Sequence, residues 1–212
     1  MAIFEDLQQA IIDGKAPVAK ALAETGLKEG IKPSEFFPKA IIPAMDEVGR
    51  RMRDCEFFIP EVLIAARAAR AATDILRPLL QGEEAVKPVG TVVIGTVKGD
   101  LHDIGKNLVK MMGQGAGIEV VDLGIDVSAD KFVQGLKDNP DAKAVGMSAL
   151  LTTTMTGMKE VIDRFEKEGM RKKIKIMVGG APLTDQYSKE IGADGYAPDA
   201  ASAAEKFKVF VQ

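Results

Sequence analysis

Tryptophan is absent from the 212 residues, tyrosine occurs only twice, and cysteine and histidine occur once each. A single cysteine, Cys55, excludes an internal disulfide and suits a reducing compartment. Its neighbours, Asp54 and Glu56, are a poor setting for a reactive thiolate. A basic surplus is also missing. Lys and Arg number 28 against 31 Asp and Glu, for a net charge of -3 and a pI near 5.4. That balance argues against a nucleic-acid binder, which needs a basic face. No uncharged apolar run reaches the roughly 20 residues that cross a bilayer. The stretch Met1–Asp6 has neither a basic nor an apolar leader region, so no signal peptide is expected. These absences together predict a soluble, cytoplasmic protein engaging neither membrane nor nucleic acid. What remains is ordinary globular material, 46% hydrophobic and 28% charged, enough for one large domain or two small ones.

The chain changes character near residue 82. Before it the periodicity is helical throughout. Ile3, Leu7, Ala10 and Ile11 recur at helical steps. A second helix is expected from Pro17 to Lys28, with proline in its first turn. A third starts near Ser34 and runs through Ile41, Met45, Val48 and Met52, with Pro38 and Pro43 restricting or kinking its early turns. A fourth starts near Pro60 and runs to Leu76, and its Ala65–Ala72 stretch allows close helix approach. Four helices with short turns predict a small bundle over residues 1–82. Residues 83–88 are polar and aperiodic, and are expected to be a linker and hinge.

From residue 89 to 212 short apolar runs alternate with helical ones. Strands are expected at Thr91–Thr96, Glu119–Asp122, Ala144–Ser148, Lys175–Val178 and Gly195–Ala197. Helices are expected over Ile104–Met112, Ser128–Lys137, Thr154–Glu168, Asp185–Ile191 and Ala200–Val211. This βα alternation predicts an α/β domain, a flavodoxin-like, doubly wound parallel sheet of five strands. Ligands of such sheets sit beyond the carboxyl ends of the strands, at the switch point between strands one and three.

Three polar clusters fall on that edge. Asp100 and His102 follow strand one, Ser148 to Thr154 follow strand three, and Gly179-Gly180 follow strand four. An imidazole with a carboxylate two residues away is a fit metal ligand, because the acid fixes its tautomer. Adjacent glycines leave bare backbone for a ligand to lie against. Each cluster also has a plainer reading. A lone loop histidine is commonly solvent-exposed or capping, Asp100 and Asp103 can cap a helix, Thr153 or Thr154 can cap the next, and Gly179-Gly180 can be a turn. No second metal cluster, nucleophile–base pair or phosphate loop is legible.

Read together, Gly99-Asp100-Leu101-His102-Asp103-Ile104-Gly105, then Ser148-x-Leu150, then Gly179-Gly180, resembles the cobalamin-binding signature Asp-x-His-x-x-Gly, Ser-x-Leu, Gly-Gly. The segments Met45–Gly49 and Phe58–Leu63 resemble the helical cap that precedes this module in methionine synthase and in the small corrinoid proteins of methyltransferase systems. The resemblance implies cobalamin as cofactor, with His102 as axial ligand to cobalt in place of the cofactor's own base ("base-off/His-on"). It implies Asp100 as the acid bonded to that ring and Thr154 as the hydroxyl extending the relay. Ser148, Leu150 and Thr152 would contact the nucleotide tail, and Gly105, Gly179 and Gly180 would line its slot. Asp103 and Ile104 complete the loop, and Tyr196 and Ala200 match the last loop beside the cofactor. Met52 and Ile59 match the side chains shielding the methyl-bearing face, with Met52 standing where methionine synthase has an aromatic. The implied function is a methyl carrier, with cobalt alternating between Co(I) and methyl-Co(III). Its implied partners are a methyl-donor methyltransferase, an acceptor methyltransferase working on tetrahydrofolate or a thiol, and a corrinoid-reactivating protein. A cobalamin-dependent regulator or photosensor, and the cobalamin subunit of a radical mutase, are the alternatives.

Overall fold

A computed structural model describes residues 2–80 and 88–212. Two compact units are present, residues 1–87 with 115–117 and residues 88–114 with 118–212. The expected linker and hinge, 83–88, lies outside the described residues except for Pro88.

The first unit is helical: α1 (Ala2–Ile12), α2 (Ala16–Lys28), α3 (Pro33–Phe36), α4 (Ile42–Arg53) and α5 (Ile59–Leu76). The third expected helix is therefore split. A π-helical turn, Phe37–Ile41, stands between α3 and α4. The two prolines explain it. Neither Pro38 nor Pro43 has an N–H to donate, so the ladder slips and Ile42 N–H bonds to Phe37 O five residues back. Pro43 also orphans the carbonyl of Lys39, and Gln8 Nε2 from α1 takes that oxygen at 2.6 Å. α2 packs on α5 through alanines. Ala19, Ala23, Ala65, Ala68 and Ala72 are fully buried, and their small side chains let the backbones approach.

The second unit is an α/β layer structure. Strands β1 (Thr91–Thr96), β2 (Glu119–Asp122), β3 (Ala142–Ser148), β4 (Lys175–Gly179) and β5 (Gly195–Ala197) form one sheet in the order β2-β1-β3-β4-β5. Every pairing is parallel. The helices are α6 (Ile104–Gly115), α7 (Ala129–Asp138), α8 (Thr156–Lys167), α9 (Asp185–Glu190) and α10 (Ala200–Val211). Alternate strand residues feed opposite cores. Val93, Val145 and Ile176 pack with Phe132 and Phe165 on one face. Val92, Ile94, Ala144 and Met177 pack with Phe207 and Val211 on the other. That two-sided burial is why the strands read as continuous apolar runs. No helix among the described residues is long and apolar enough to cross a membrane.

α8 begins two residues later than expected, at Thr156, and its N-cap position is Met155, which offers no side-chain cap. Neither Thr153 nor Thr154 caps the helix, because the Thr154 hydroxyl is engaged elsewhere, as described below.

Phe132 is fully buried, and its ring lies where a side chain on Gly95 would stand, Cζ being 2.8 Å from the position of a Cβ there. Phe132→Ala is expected to lower unfolding free energy by about 3–5 kcal/mol, measured by urea denaturation.

Candidate functional site

β1 lies between β2 and β3, so its C-terminal end is the point where the sheet's winding reverses. The chain leaves β1 through a tight turn. Asp100 N–H bonds back to Val97 O at 3.1 Å, and Gly99 takes a left-handed conformation, φ 81°, which glycine adopts without strain. The turn drives Asp100 into the protein and releases His102 outward. Asp100 is fully buried while the His102 side chain is half exposed.

The Asp100 carboxylate gathers donors from two loops. Oδ1 accepts His102 N–H at 3.0 Å and faces His102 Nδ1 at 2.7 Å. Oδ2 accepts Leu150 N–H at 2.7 Å, Leu151 N–H at 3.2 Å and the Thr154 hydroxyl at 2.7 Å. Burial pushes the carboxyl pKa up, but the Leu150 and His102 N–H groups, the Thr154 hydroxyl and the imidazole outweigh it. They hold the group well below the usual carboxylate range. Asp100 is therefore an anion, and an anion accepts. In the neutral ring Nδ1 then carries the proton, which leaves the lone pair on Nε2, a nitrogen that could take a metal. Thr96, buried at the end of β1, donates its hydroxyl to His102 O at 2.9 Å and fixes the loop behind the ring.

The sheet edge brings together most of the residues singled out by sequence. Ser148 ends β3, half-buried, and its carbonyl accepts Val97 N–H at 3.0 Å. Thr152 is exposed on the loop after β3. Asp103 precedes α6, and its carboxylate accepts Asn107 Nδ2 at 2.9 Å. A Cβ on Gly105 would meet nothing within 4 Å, so that face of α6 is open. Gly180 is more than a turn residue. Its φ is 138°, and a Cβ there would stand 1.9 Å from Ala149 O, so only glycine lets the β3 loop lie against the end of β4. Tyr196 is half-buried in β5, and its carbonyl accepts Lys206 Nζ at 2.5 Å. Ala200 is buried at the start of α10, which Asp199 caps by accepting Ser202 N–H at 2.8 Å. Around the imidazole, Leu101 is 68% exposed, Ile104 70% and Leu150 43%. Three large apolar side chains left open near an imidazole nitrogen suit a flat, largely apolar ligand.

Met52 and Ile59 belong to the helical unit. Met52 is half-buried near the end of α4, and Ile59 opens α5 beside Phe58, both exposed. Glu61 steadies this entry by accepting Phe58 N–H at 3.0 Å.

Two anchors of the site escape sequence reading. Tyr187 on α9 donates its hydroxyl to Met155 O at 2.9 Å, bracing the loop that carries Thr154. Lys106, buried in the first turn of α6, bonds both carboxylate oxygens of Asp122 at 2.8 Å. Their partners are far along the chain and no spacing rule links them.

His102 offers one ligand, and no group of three or more His, Cys, Asp or Glu side chains that could hold a metal ion occurs among the described residues. Residues 90–205 match the family model of the B12 binding domain, and residues 3–77 match a second B12 binding domain model. The chain belongs to the B12-binding corrinoid proteins. Its cofactor is cobalamin or a related corrinoid. It is 40% identical to dimethylamine corrinoid protein 2 of Methanosarcina acetivorans over 97% of this chain and 94% of that one. It is 38% identical to the trimethylamine corrinoid protein of Methanosarcina barkeri over 97% and 95%. Among solved structures, a cobalamin-binding protein from Desulfitobacterium hafniense superimposes with TM-score 0.82 at 31% identity, covering 99% of this chain and 98% of that one. The methanol:cobalamin methyltransferase complex MtaBC of Methanosarcina barkeri gives TM-score 0.87 at 27% identity, covering 99% of this chain and 80% of that one.

In this corrinoid protein Asp100→Asn is expected to cost about 1–3 kcal/mol at neutral pH, since an amide N–H2 cannot accept from Leu150, Leu151 or Thr154. The depressed pKa of Asp100 stabilises the fold in full above the ordinary carboxylate value of about 4, and that contribution fades as pH falls toward the lower folded value. Urea unfolding of the apoprotein should therefore show the wild-type advantage over Asp100→Asn shrinking as the solution is acidified.

Proposed function

We propose that this chain is the methyl carrier of a corrinoid-dependent methyltransferase system, passing a methyl group between a donor methyltransferase and an acceptor methyltransferase. The observation that carries the reading is the Asp100–His102 pair, with Nδ1 held by a buried anion and Nε2 left with the lone pair. Relatives named for methylamine systems and a structural neighbour in a methyltransferase complex support the same reading. They favour it over a regulator or a mutase subunit.

A bound corrinoid supplies a cobalt centre that accepts a methyl group and gives it up. The chain's own residues do the rest. His102 Nε2 would hold the cobalt in place of the cofactor's own base. Asp100 keeps the proton on Nδ1 and raises the ring's basicity; Thr154 steadies Asp100 from the far side. The ring is half exposed and its described side-chain hydrogen bond runs through Nδ1. Such a ring would engage a ligand on its Nε2 side without disturbing the core. Ser148, Leu150 and Thr152, with Gly105, Gly179 and Gly180, would hold the cofactor's nucleotide tail. Tyr196 and Ala200 would border it, and Asp103 and Ile104 would flank the loop that carries His102.

The relatives and neighbours are named for dimethylamine, trimethylamine, monomethylamine and methanol systems, yet share this architecture. Choice of methyl donor thus belongs to the partner methyltransferase. The acceptor enzyme, acting on tetrahydrofolate or a thiol, and a reactivating protein complete the proposed cycle, in the cytoplasm.

His102→Ala should still fold and take up cobalamin, but its Co(II) EPR spectrum should lack the imidazole nitrogen splitting seen in wild type; identical spectra would count against axial ligation. Reduced holoprotein incubated with labelled mono-, di- and trimethylamine and methanol, each with its methyltransferase, should acquire label from at least one. Absence of label with every donor would sink the carrier reading.

A further inference from the structure

The ligand loop is gripped from a side that the binding motif does not include. Past β2 the chain turns back beside the end of β1. Leu123 N–H bonds to Ile94 O at 2.8 Å, Thr96 N–H to Gly124 O at 3.0 Å, and Val127 N–H to Thr96 O at 2.9 Å. This stretch runs alongside the end of β1, closed by an isolated parallel bridge between Val97 and Val127, and Asp126 sits within it.

Asp126 is exposed, yet it holds a left-handed backbone conformation, φ 51°. Such a conformation is uncommon outside glycine, and Asp and Asn tolerate it better than most. Its carboxylate accepts Gly99 N–H at 2.7 Å, and its own N–H donates to Asp100 O at 3.1 Å. Both bonds end on the Gly99-Asp100 pair, whose turn decides where the buried carboxylate points. An exposed side chain adds little to the core, so this double grip has its effect on the turn.

We propose that Asp126 is a positioning residue for the His102 imidazole: its carboxylate holds Gly99 N–H and its backbone N–H holds Asp100 O, clamping the turn from both sides and so aiming Asp100 Oδ1 at His102 Nδ1. Its meaning for the cofactor rests on the reading of His102 as axial ligand; the clamp itself is a property of the apoprotein. A carboxylate buried among five donors tolerates little displacement, because its two oxygens serve different partners. If the turn loosens, Oδ1 drifts from Nδ1, the Nδ1–H tautomer loses its preference, and Nε2 presents a lone pair less often.

Two variants separate the clamp from simple folding effects. Asp126→Gly suits the left-handed backbone but removes the acceptor, whereas Asp126→Asn keeps both. His102 is the only histidine, so its ring nitrogens give the only imidazole signals in an NMR spectrum. In apoprotein at alkaline pH, Asp126→Gly should shift the ring population away from the Nδ1–H tautomer. It should also raise Gly99 amide exchange about tenfold, the scale of one lost hydrogen bond. Asp126→Asn should behave as wild type in both measurements, and both variants should melt near the wild-type temperature. In the cobalamin-loaded Co(II) form, the fraction showing imidazole nitrogen splitting should fall in Asp126→Gly and be retained in Asp126→Asn. Unchanged ring signals and unchanged Gly99 exchange in Asp126→Gly would overturn the proposal, as would an Asn variant as loose as the Gly variant. If wild-type holoprotein shows no imidazole splitting, the axial-ligand reading fails on its own, and the apoprotein measurements still decide the clamp.

Discussion

A single buried anion organises the sheet edge that carries the candidate site. Asp100 has no exposed surface, and its two oxygens meet five donors drawn from its own loop and from the loop after β3. A buried carboxylate without partners would take up a proton. Five donors reverse that preference and keep it charged. The charge in turn dictates the histidine tautomer, and the tautomer dictates which nitrogen can reach a metal. Loop geometry, protonation and ligand chemistry are thus one constraint seen at three scales.

The sheet makes the constraint possible. Parallel pairing of β1 with β3 sets Thr96 beside Ser148, so the loops that follow leave the sheet side by side, and Leu150 and Leu151 can point their N–H groups at Asp100. Gly180 allows the second loop to lie against β4 with no side chain between them. Tyr187 and Thr96 brace the two loops from behind. The imidazole is the half-exposed tip of these two braced loops.

The helical unit is built on a different logic. Its core is largely alanine and its third helix is broken by proline into α3, a π turn and α4. The turn from α4 to α5, which carries Met52 and Ile59 at its ends, is tied by Arg50, whose guanidinium reaches Glu47, Asp54 and Glu56. Glu47 also takes Arg51, and the two arginines depress its pKa to about 2. The apolar side chains Phe58 and Ile59 are left exposed just beyond this charged knot.

Local chemistry was readable from the sequence. The five strands, the helices between them and the Asp-x-His loop followed from periodicity, from turn residues and from a resemblance carried by short, specific motifs. A doubly wound parallel sheet with its switch point between strands one and three followed from βα alternation, and the structure supplied the order 2-1-3-4-5. The tertiary structure decided which atoms meet. Leu150 and Thr154 stand 50 and 54 positions from Asp100, and no spacing shows that Thr154 serves a carboxylate and does not cap a helix. The same holds for Gly180 against Ala149, for Gln8 filling the carbonyl that Pro43 orphans, and for Asp126 on Gly99. Hydrogen bonds between distant segments depend on sub-ångström placement by the packed sheet, and sequence patterns carry information only about neighbours on one strand or one helical face.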